Sequence, residues 1–355
     1  MKIYNQLSDF KKLDHAVVTI GTFDGVHYGH QKIIKRLCEL AQATSGESVI
    51  LTFFPHPRMI IDPENQDLKM INTIKEKAQI LENLGVDHLI ITPFTRDFSN
   101  LTADEYIKNI LVDTIGTKQL IVGYDHRFGK DRKGDMNQLL ANAQQYGYTV
   151  EQIPEQDIND VAVSSTKIRK ALLEGDVALA AEYLGYYFSI NGPVIKGDKI
   201  GRTIGFPTAN IFVEETYKLI PSDGIYAVTI EMDSEGEGAG AAGGRQEDEG
   251  TKSKIQSLET EEQSLQPFNP QPSTFKGMAY IGQRPTINGM TRNIEVNIFD
   301  FNREIYGQTI TMNFLKFLRH DVKFTGLEAL TAQLHQDKLD TLAFFEKFES
   351  KARFT

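Results

Sequence analysis

Along the first half of the chain, short apolar runs alternate with segments whose apolar residues recur every three or four positions. AVVTIGTF, SVILTFF, HLIITPF and QLIVGY are rich in valine, isoleucine and leucine and read as strands, followed later by YTVEQIP. Between them HQKIIKRLCELAQAT, IKEKAQILENLG, ADEYIKNILVDTI and MNQLLANAQQYG have helical spacing. Apolar strands separated by amphipathic helices predict a parallel sheet covered on both faces, a Rossmann-like α/β domain whose ligands bind beyond the carboxyl ends of the strands.

After VSSTKIRKALLEGDVALAAEYLG the period changes. From Phe188 to Phe314 the chain reads as short strands interrupted by glycine, proline and asparagine, which predicts an antiparallel, Greek-key-like β-barrel. LEALTAQLHQDKLDTLAFFEKF, Leu327 to Phe348, returns to helical spacing and is expected to pack on that barrel as a terminal helix. The expected fold class is therefore α/β plus β, with domains at 1–184 and 185–355.

One segment breaks this pattern. Residues 233–275 combine glycine, acid and glutamine with almost no large apolar side chains, so they are expected to be a disordered insertion. The flanking runs IYAVTIEM and FKGMAYIG alternate like half-buried strands, which puts the insertion inside the β domain rather than between domains. It also changes the meaning of the charge. The chain carries a net −10, and this stretch, with nine acidic and three basic residues, leaves only −4 for the rest. Neither value suits a nucleic-acid partner held by general electrostatics. No apolar run of about 18 residues offers a membrane span. The single cysteine, Cys38, excludes an intramolecular disulfide and a cysteine zinc cluster, and a reducing, cytoplasmic location is expected.

Four groups of residues could carry chemistry. Gly21-Thr22-Phe23-Asp24-Gly25-Val26-His27-Tyr28-Gly29-His30 follows an apolar strand and opens a helix. Two histidines three apart lie on one helix face, at an N-terminus whose N–H groups and dipole favour an anion, and glycines allow close backbone approach to phosphate. A capped turn would need only one of these features. Ser164-Ser165-Thr166-Lys167-Ile168-Arg169 offers three hydroxyls where a cap needs one, with a cation suited to bidentate phosphate binding. GDKIGRTIGFPTAN, with Gly197, Gly201 and Gly205, lacks the ending of a P-loop, while its Thr208 and Asn210 offer oxygen atoms to a hard cation. Glu295 shares a strand face with Asn297 in an otherwise apolar run, where a carboxylate needs a partner or a task.

Together, GTFDGVHYGHQ, LTFFPHP, VGYDHRFGKDRKGD, VSSTKIR, GDKIGRTIGFPTAN and EVNIFDF resemble the bacterial bifunctional riboflavin kinase/FMN adenylyltransferases, whose first half is a member of the nucleotidyltransferase superfamily with an HxGH signature. The resemblance spans nearly the whole chain outside the insertion. It implies that riboflavin is phosphorylated by ATP to FMN, with Glu295 as base and Mg²⁺ held by Thr208 and Asn210. It further implies that FMN is adenylylated by a second ATP to FAD, with His27 and His30 at the reacting phosphates. Gly21, Phe23, Gly29, Ser164, Ser165, Thr166 and Arg169 would line ATP, and Gly197, Gly201 and Gly205 the kinase phosphates. Asp125 and Arg127, with the loop around His56, resemble the family's flavin- and ATP-lining segments. Two positions depart from the family pattern: His126 stands where an aromatic such as Phe is common, and Asn297 where His is common. A protein with one working half, a cytidylyltransferase-like first half, and a flavin carrier without turnover are the competing readings. Intact motifs in both halves oppose the first, the phosphate loop of the β domain opposes the second, and the base and histidines oppose the third.

Overall fold

The computed structural model describes residues 1–62, 64, 67–154, 163–197, 200–232, 274–286 and 289–352. Two compact units are present, one of residues 1–184 with 214–222, the other of residues 185–213 with 223–355.

In the first unit six strands, β1 (Lys2–Tyr4), β2 (Ala16–Ile20), β3 (Glu47–Phe54), β4 (His88–Pro93), β5 (Thr117–Gly123) and β6 (Thr149–Ile153), form one sheet in the order β1-β4-β3-β2-β5-β6, every pair parallel. Alternate residues supply two separate cores. Val18, Ile20, Leu51, Leu120 and Val122 face one side, and Val17, Ile50 and Ile121 the other, where Ile34 and Leu37 of helix α1 (Tyr28–Ala43) and Leu81 of α2 (Ile74–Asn83) cover them. The uninterrupted apolar strands of the sequence have this cause. Because the chain leaves β2 toward β3 on one side and later returns to pair β5 on its other side, the strand order reverses at β2. The crevice beyond the carboxyl ends of β2 and β5 is the place where such sheets bind ligands.

Two local features differ from the periodicity reading. The expected helix over 103–115 is, from Tyr106 to Ile115 (α3), wound with five-residue hydrogen bonds and ends at Gly116, φ 82°, whose N–H reaches Leu111 O. The short edge strand β1 has too few residues to show alternation; it pairs with β4, and the Tyr4 hydroxyl meets His88 Nδ1 at 3.1 Å.

The second unit is a closed antiparallel barrel in the order β10-β11-β8-β7-β12-β9. Its strands are β7 (Ser189–Ile195), β8 (Ala209–Ile211), β9 (Gly224–Met232), β10 (Phe275–Thr286), β11 (Gly289–Ile298) and β12 (Thr309–Arg319). β9 pairs directly with β10, Ile230 opposite Phe275. Of the expected insertion, residues 233–273 lie outside the described residues, and Phe275 opens β10. The long C-terminal helix (Leu327–Ala352) packs on the barrel. Phe345 joins Ala227 and Leu315, and the Arg319 guanidinium forms two 2.7 Å hydrogen bonds to the buried Asp337 carboxylate. Among the described residues no helix is long and apolar enough to cross a membrane.

Candidate active sites

The turn after β2 is tight: Phe23, Gly25 and Val26 all have positive φ, at 44°, 85° and 32°. This contortion carries Asp24 inward, where it is 1% exposed. Its Oδ1 accepts from the Ile71 N–H at 3.0 Å, its other oxygen is ion-paired with Arg169, and its backbone carbonyl accepts from the Ser165 hydroxyl at 2.9 Å. Asp24 thereby joins the two motifs of the first half. Burial pushes its carboxyl up, against the opposing pull of Arg169, Lys77 and the amides of Ile71 and Asn72. Arg169 Nε also donates to Lys69 O at 2.9 Å.

The hydroxyl-rich segment divides its work. Ser164 caps the helix Ser165–Leu173 by accepting from Lys167 N–H at 3.3 Å, Ser165 is tied to Asp24, and Thr166 is exposed.

His27 caps α1, its Nδ1 accepting from the His30 N–H at 3.4 Å, and the two imidazoles stack with centroids 3.6 Å apart. Burial lowers His27 to about 4, and burial together with His27 and Lys77 drives His30 well below its ordinary value. At neutral pH both rings are uncharged, so they can act on an anion as hydrogen-bond donors and not as cations. His30 Nδ1 is buried with no protein partner. His56 Nδ1 accepts from Arg58 N–H at 3.1 Å, and burial lowers this ring also to about 4.

The positive charge comes from Arg169 and from a residue the sequence reading passed over. Lys77 on α2 is fully buried, donates from Nζ to Thr22 O at 2.7 Å, and is lowered by burial to about 8. The available signal was its place on the apolar stripe Ile74, Ala78 and Leu81. Gly21 packs against the Phe23 ring, a Cβ there meeting Cε2 at 3.0 Å, and Gly29 is buried in the first turn of α1.

The loop after β5 holds the remaining first-half candidates. Asp125 and Arg127 are exposed, Arg127 lying 3.3 Å from Asp135, and no hydrogen bond or ion pair joins either to the histidine pair. Between them the half-buried His126 stacks on Phe128 at 5.7 Å and is lowered by desolvation to about 4, with a buried Nε2 lacking a partner.

In the barrel, side chains at alternate positions of β11 place Asn293, Glu295 and Asn297 on one face. Glu295 lies opposite Tyr280 of β10 and Asn210 of β8. Its Oε2 accepts from the Thr208 hydroxyl at 2.9 Å and its Oε1 from the Asn293 amide. Asn297 donates to Pro207 O at 2.7 Å, fixing the turn that carries Thr208. Glu295 and Thr208 open into a cavity of about 390 Å³ walled by Ile204, Phe206, Val322, Phe324 and Leu334. The arrangement suits a flat apolar ring system with a hydroxylated tail reaching the carboxylate. A second cavity of about 310 Å³ shares Phe206 and Asn297 with it and runs along Gly205 and Asp300.

The glycines of the phosphate-loop candidate have separate causes. A Cβ at Gly197 would sit 2.5 Å from the Asn210 amide nitrogen, one at Gly201 would sit 2.2 Å from Phe206 O, and Gly205 has φ +83°. Residues 198–199 lie outside the described residues. The donor set fits a magnesium ion. Thr208 gives its proton to Glu295, which leaves its oxygen lone pairs for a cation. Among the described residues no cluster of three His, Cys, Asp or Glu side chains could hold a metal by itself, so phosphate and water would complete the shell.

Comparison with known proteins gives a separate family match for each half of the chain. A family model described as FAD synthetase matches residues 9–167, and one described as riboflavin kinase matches residues 184–345. A bifunctional riboflavin kinase/FMN adenylyltransferase from Listeria monocytogenes is 36% identical over 94% of both chains. Its counterpart from Haemophilus influenzae is 34% identical over 94% of this chain and 95% of its own. The crystal structure of a protein described as a macrolide-efflux protein from Streptococcus pneumoniae matches with a TM-score of 0.77 at 29% identity, covering 96% of this chain and 98% of its own. Relatives that are 36% and 34% identical and align over nearly its whole length show that the chain belongs to the bifunctional riboflavin kinase/FMN adenylyltransferase family.

Proposed function

We propose that residues 185–355 phosphorylate riboflavin and residues 1–184 adenylylate the product, each with its own ATP. In the kinase half Glu295 takes the proton of the terminal ribityl hydroxyl as that oxygen attacks the γ-phosphorus, and ADP leaves. Thr208 and Asn210 would hold Mg²⁺, which when bound neutralises charge on the transferred phosphoryl group. Gly197, Gly201 and Gly205 let the backbone of their loop approach the phosphates closely.

In the adenylyltransferase half a phosphate oxygen of FMN attacks the α-phosphorus of ATP and pyrophosphate leaves. His27 and His30 donate hydrogen bonds as neutral rings, while Arg169 and Lys77, sharing the single counter-charge of Asp24, leave the site with the net positive charge an ATP polyphosphate needs. Ser164, Ser165 and Thr166 stand at the helix N-terminus beside the β and γ phosphates. Gly21, Phe23 and Gly29 line the nucleotide, and Asp125 and Arg127 the flavin. A cytoplasmic setting, without nucleic-acid partners, rests on the lone cysteine and the acidic balance.

The observation that carries the reading is the hydrogen bond between Glu295 and Thr208 at the polar end of an apolar cavity, a base held beside a metal-binding hydroxyl. A time course with riboflavin, ATP and Mg²⁺ tests it. FMN should rise first and FAD follow, and chelating Mg²⁺ should stop FMN formation. FAD formed only when FMN is supplied would refute the kinase assignment.

A further inference from the structure

We propose that Asn293 is a positioning residue for the phosphoryl-transfer step, fixing the plane of the Glu295 carboxylate. The inference rests on the reading of Glu295 as the base.

The terminal torsion of a glutamate is soft, so a carboxylate anchored at one oxygen can still turn the other away from a substrate hydroxyl. Here each oxygen has its own donor: Thr208 Oγ1 on Oε2 and Asn293 Nδ2 on Oε1, from two different segments of the barrel. Two donors on opposite oxygens set the carboxylate plane and still leave lone pairs for the ribityl hydroxyl. The space around this clamp is built for it. Opposite Asn293 in the ladder stands Gly282, and a Cβ there would fall 2.0 Å from the Tyr280 hydroxyl, so glycine leaves that ring its room next to Asn293. The Tyr280 hydroxyl is engaged elsewhere, donating to Asp321 at 3.0 Å. The other charged groups of the cavity, Arg319 and Asp337, satisfy each other. Asn293 and Thr208 are therefore the groups that orient the base.

A base displaced by about 1 Å can cost on the order of 100-fold in rate without weakening binding. Asn293→Asp, which keeps the shape and replaces the donor with an acceptor, should lower kinase kcat about 10- to 100-fold and change the KM values for riboflavin and ATP less than about threefold. Asn293→Ser, which retains a short donor, should recover part of the loss, and Asn293→Leu should not. Adenylyl transfer to supplied FMN, measured on the same preparations, checks the first unit, and the barrel's own unfolding transition by scanning calorimetry reports whether the mutated unit is folded. Glu295→Gln, run in parallel, separates the two claims. If it abolishes FMN formation while Asn293→Asp stays within twofold of the parent kcat, the clamp is refuted and the base stands. If Glu295→Gln retains kinase turnover, the base reading fails first. A change confined to KM, or a serine variant no better than leucine, also overturns the proposal.

Discussion

Replacing Asp24 by Asn is the most informative perturbation of the adenylyltransferase half. The side chain keeps its size, so no cavity forms, and Asn Oδ1 can still accept from the Ile71 N–H that now lies 3.0 Å away. What disappears is the charge. Asp24 is 1% exposed and the Arg169 side chain 14%, with Lys77 buried close by, so the substitution leaves one buried and one largely covered cation without their carboxylate. Breaking a buried ion pair from one side costs about 3–5 kcal/mol. With the Ile71 bond retained and Arg169 Nε still bound to Lys69 O, the lower end applies, about 3 kcal/mol. In a unit of this size that corresponds to a fall of about 6–12 °C in melting temperature. FAD formation from supplied FMN should fall by at least tenfold, because Arg169 and the Ser165 helix lose the group that ties them to the histidine turn. Scanning calorimetry reads the first quantity and chromatography the second, with FMN formation by the barrel as internal control. A shift below 2 °C together with FAD formation within twofold of the parent would refute this account of Asp24.

Two further outcomes follow from other groups. His27, His56 and His126 have folded values near 4 against 6.5 in the unfolded chain, and His30 is lowered in the same direction, so between these limits the unfolded chain binds more protons. Their contribution to stability is complete above about 6.5 and is lost as the pH falls toward 4; the urea midpoint should be lower at pH 5 than at pH 7.5, and His126→Phe should shrink that difference. An unchanged pH slope in the variant would contradict the lowered titration of this ring. In the barrel, Arg319→Met strips the 1%-exposed Asp337 of two 2.7 Å hydrogen bonds, leaves it the one from Gln333 at 2.9 Å, and should destabilise the unit by about 3 kcal/mol, the low end for a broken buried pair. Denaturation followed through FMN formation would show it, and a loss below 1 kcal/mol would mean the C-terminal helix does not depend on the Arg319–Asp337 pair.

Most of the architecture was legible because the forces that make it are periodic. The four apolar runs become β2 to β5 since both faces of a parallel sheet are buried, and the switch to short broken strands marks the barrel. The winding of Tyr106–Ile115 was hidden, because apolar residues along so short a stretch fit either helical period. The sites were legible as motifs and illegible as networks. Asp24 lay inside a motif, but its ion pair spans 145 residues of sequence. Lys77 lies on the apolar stripe of its helix, but nothing local shows that its ammonium ends on Thr22 O rather than in solvent. The packing of Glu214–Ser222 in the first unit, where Lys218 is ion-paired with Glu76 at 2.6 Å, has no local signature either. Asn293 differs from any strand asparagine only in the oxygen its amide meets.

The central claim, two reactions at two sites, is tested most directly by chromatography of products from riboflavin, ATP and Mg²⁺ with the parent protein and the Glu295→Gln and His30→Ala variants. The account predicts FMN and FAD from the parent. With Glu295→Gln, FMN formation should fall by about 10²- to 10⁴-fold, with FAD still made from supplied FMN. With His30→Ala, FMN should accumulate without FAD. If either variant impaired both reactions equally while the chain stayed folded, or neither product formed in the parent, the two-site account would be contradicted.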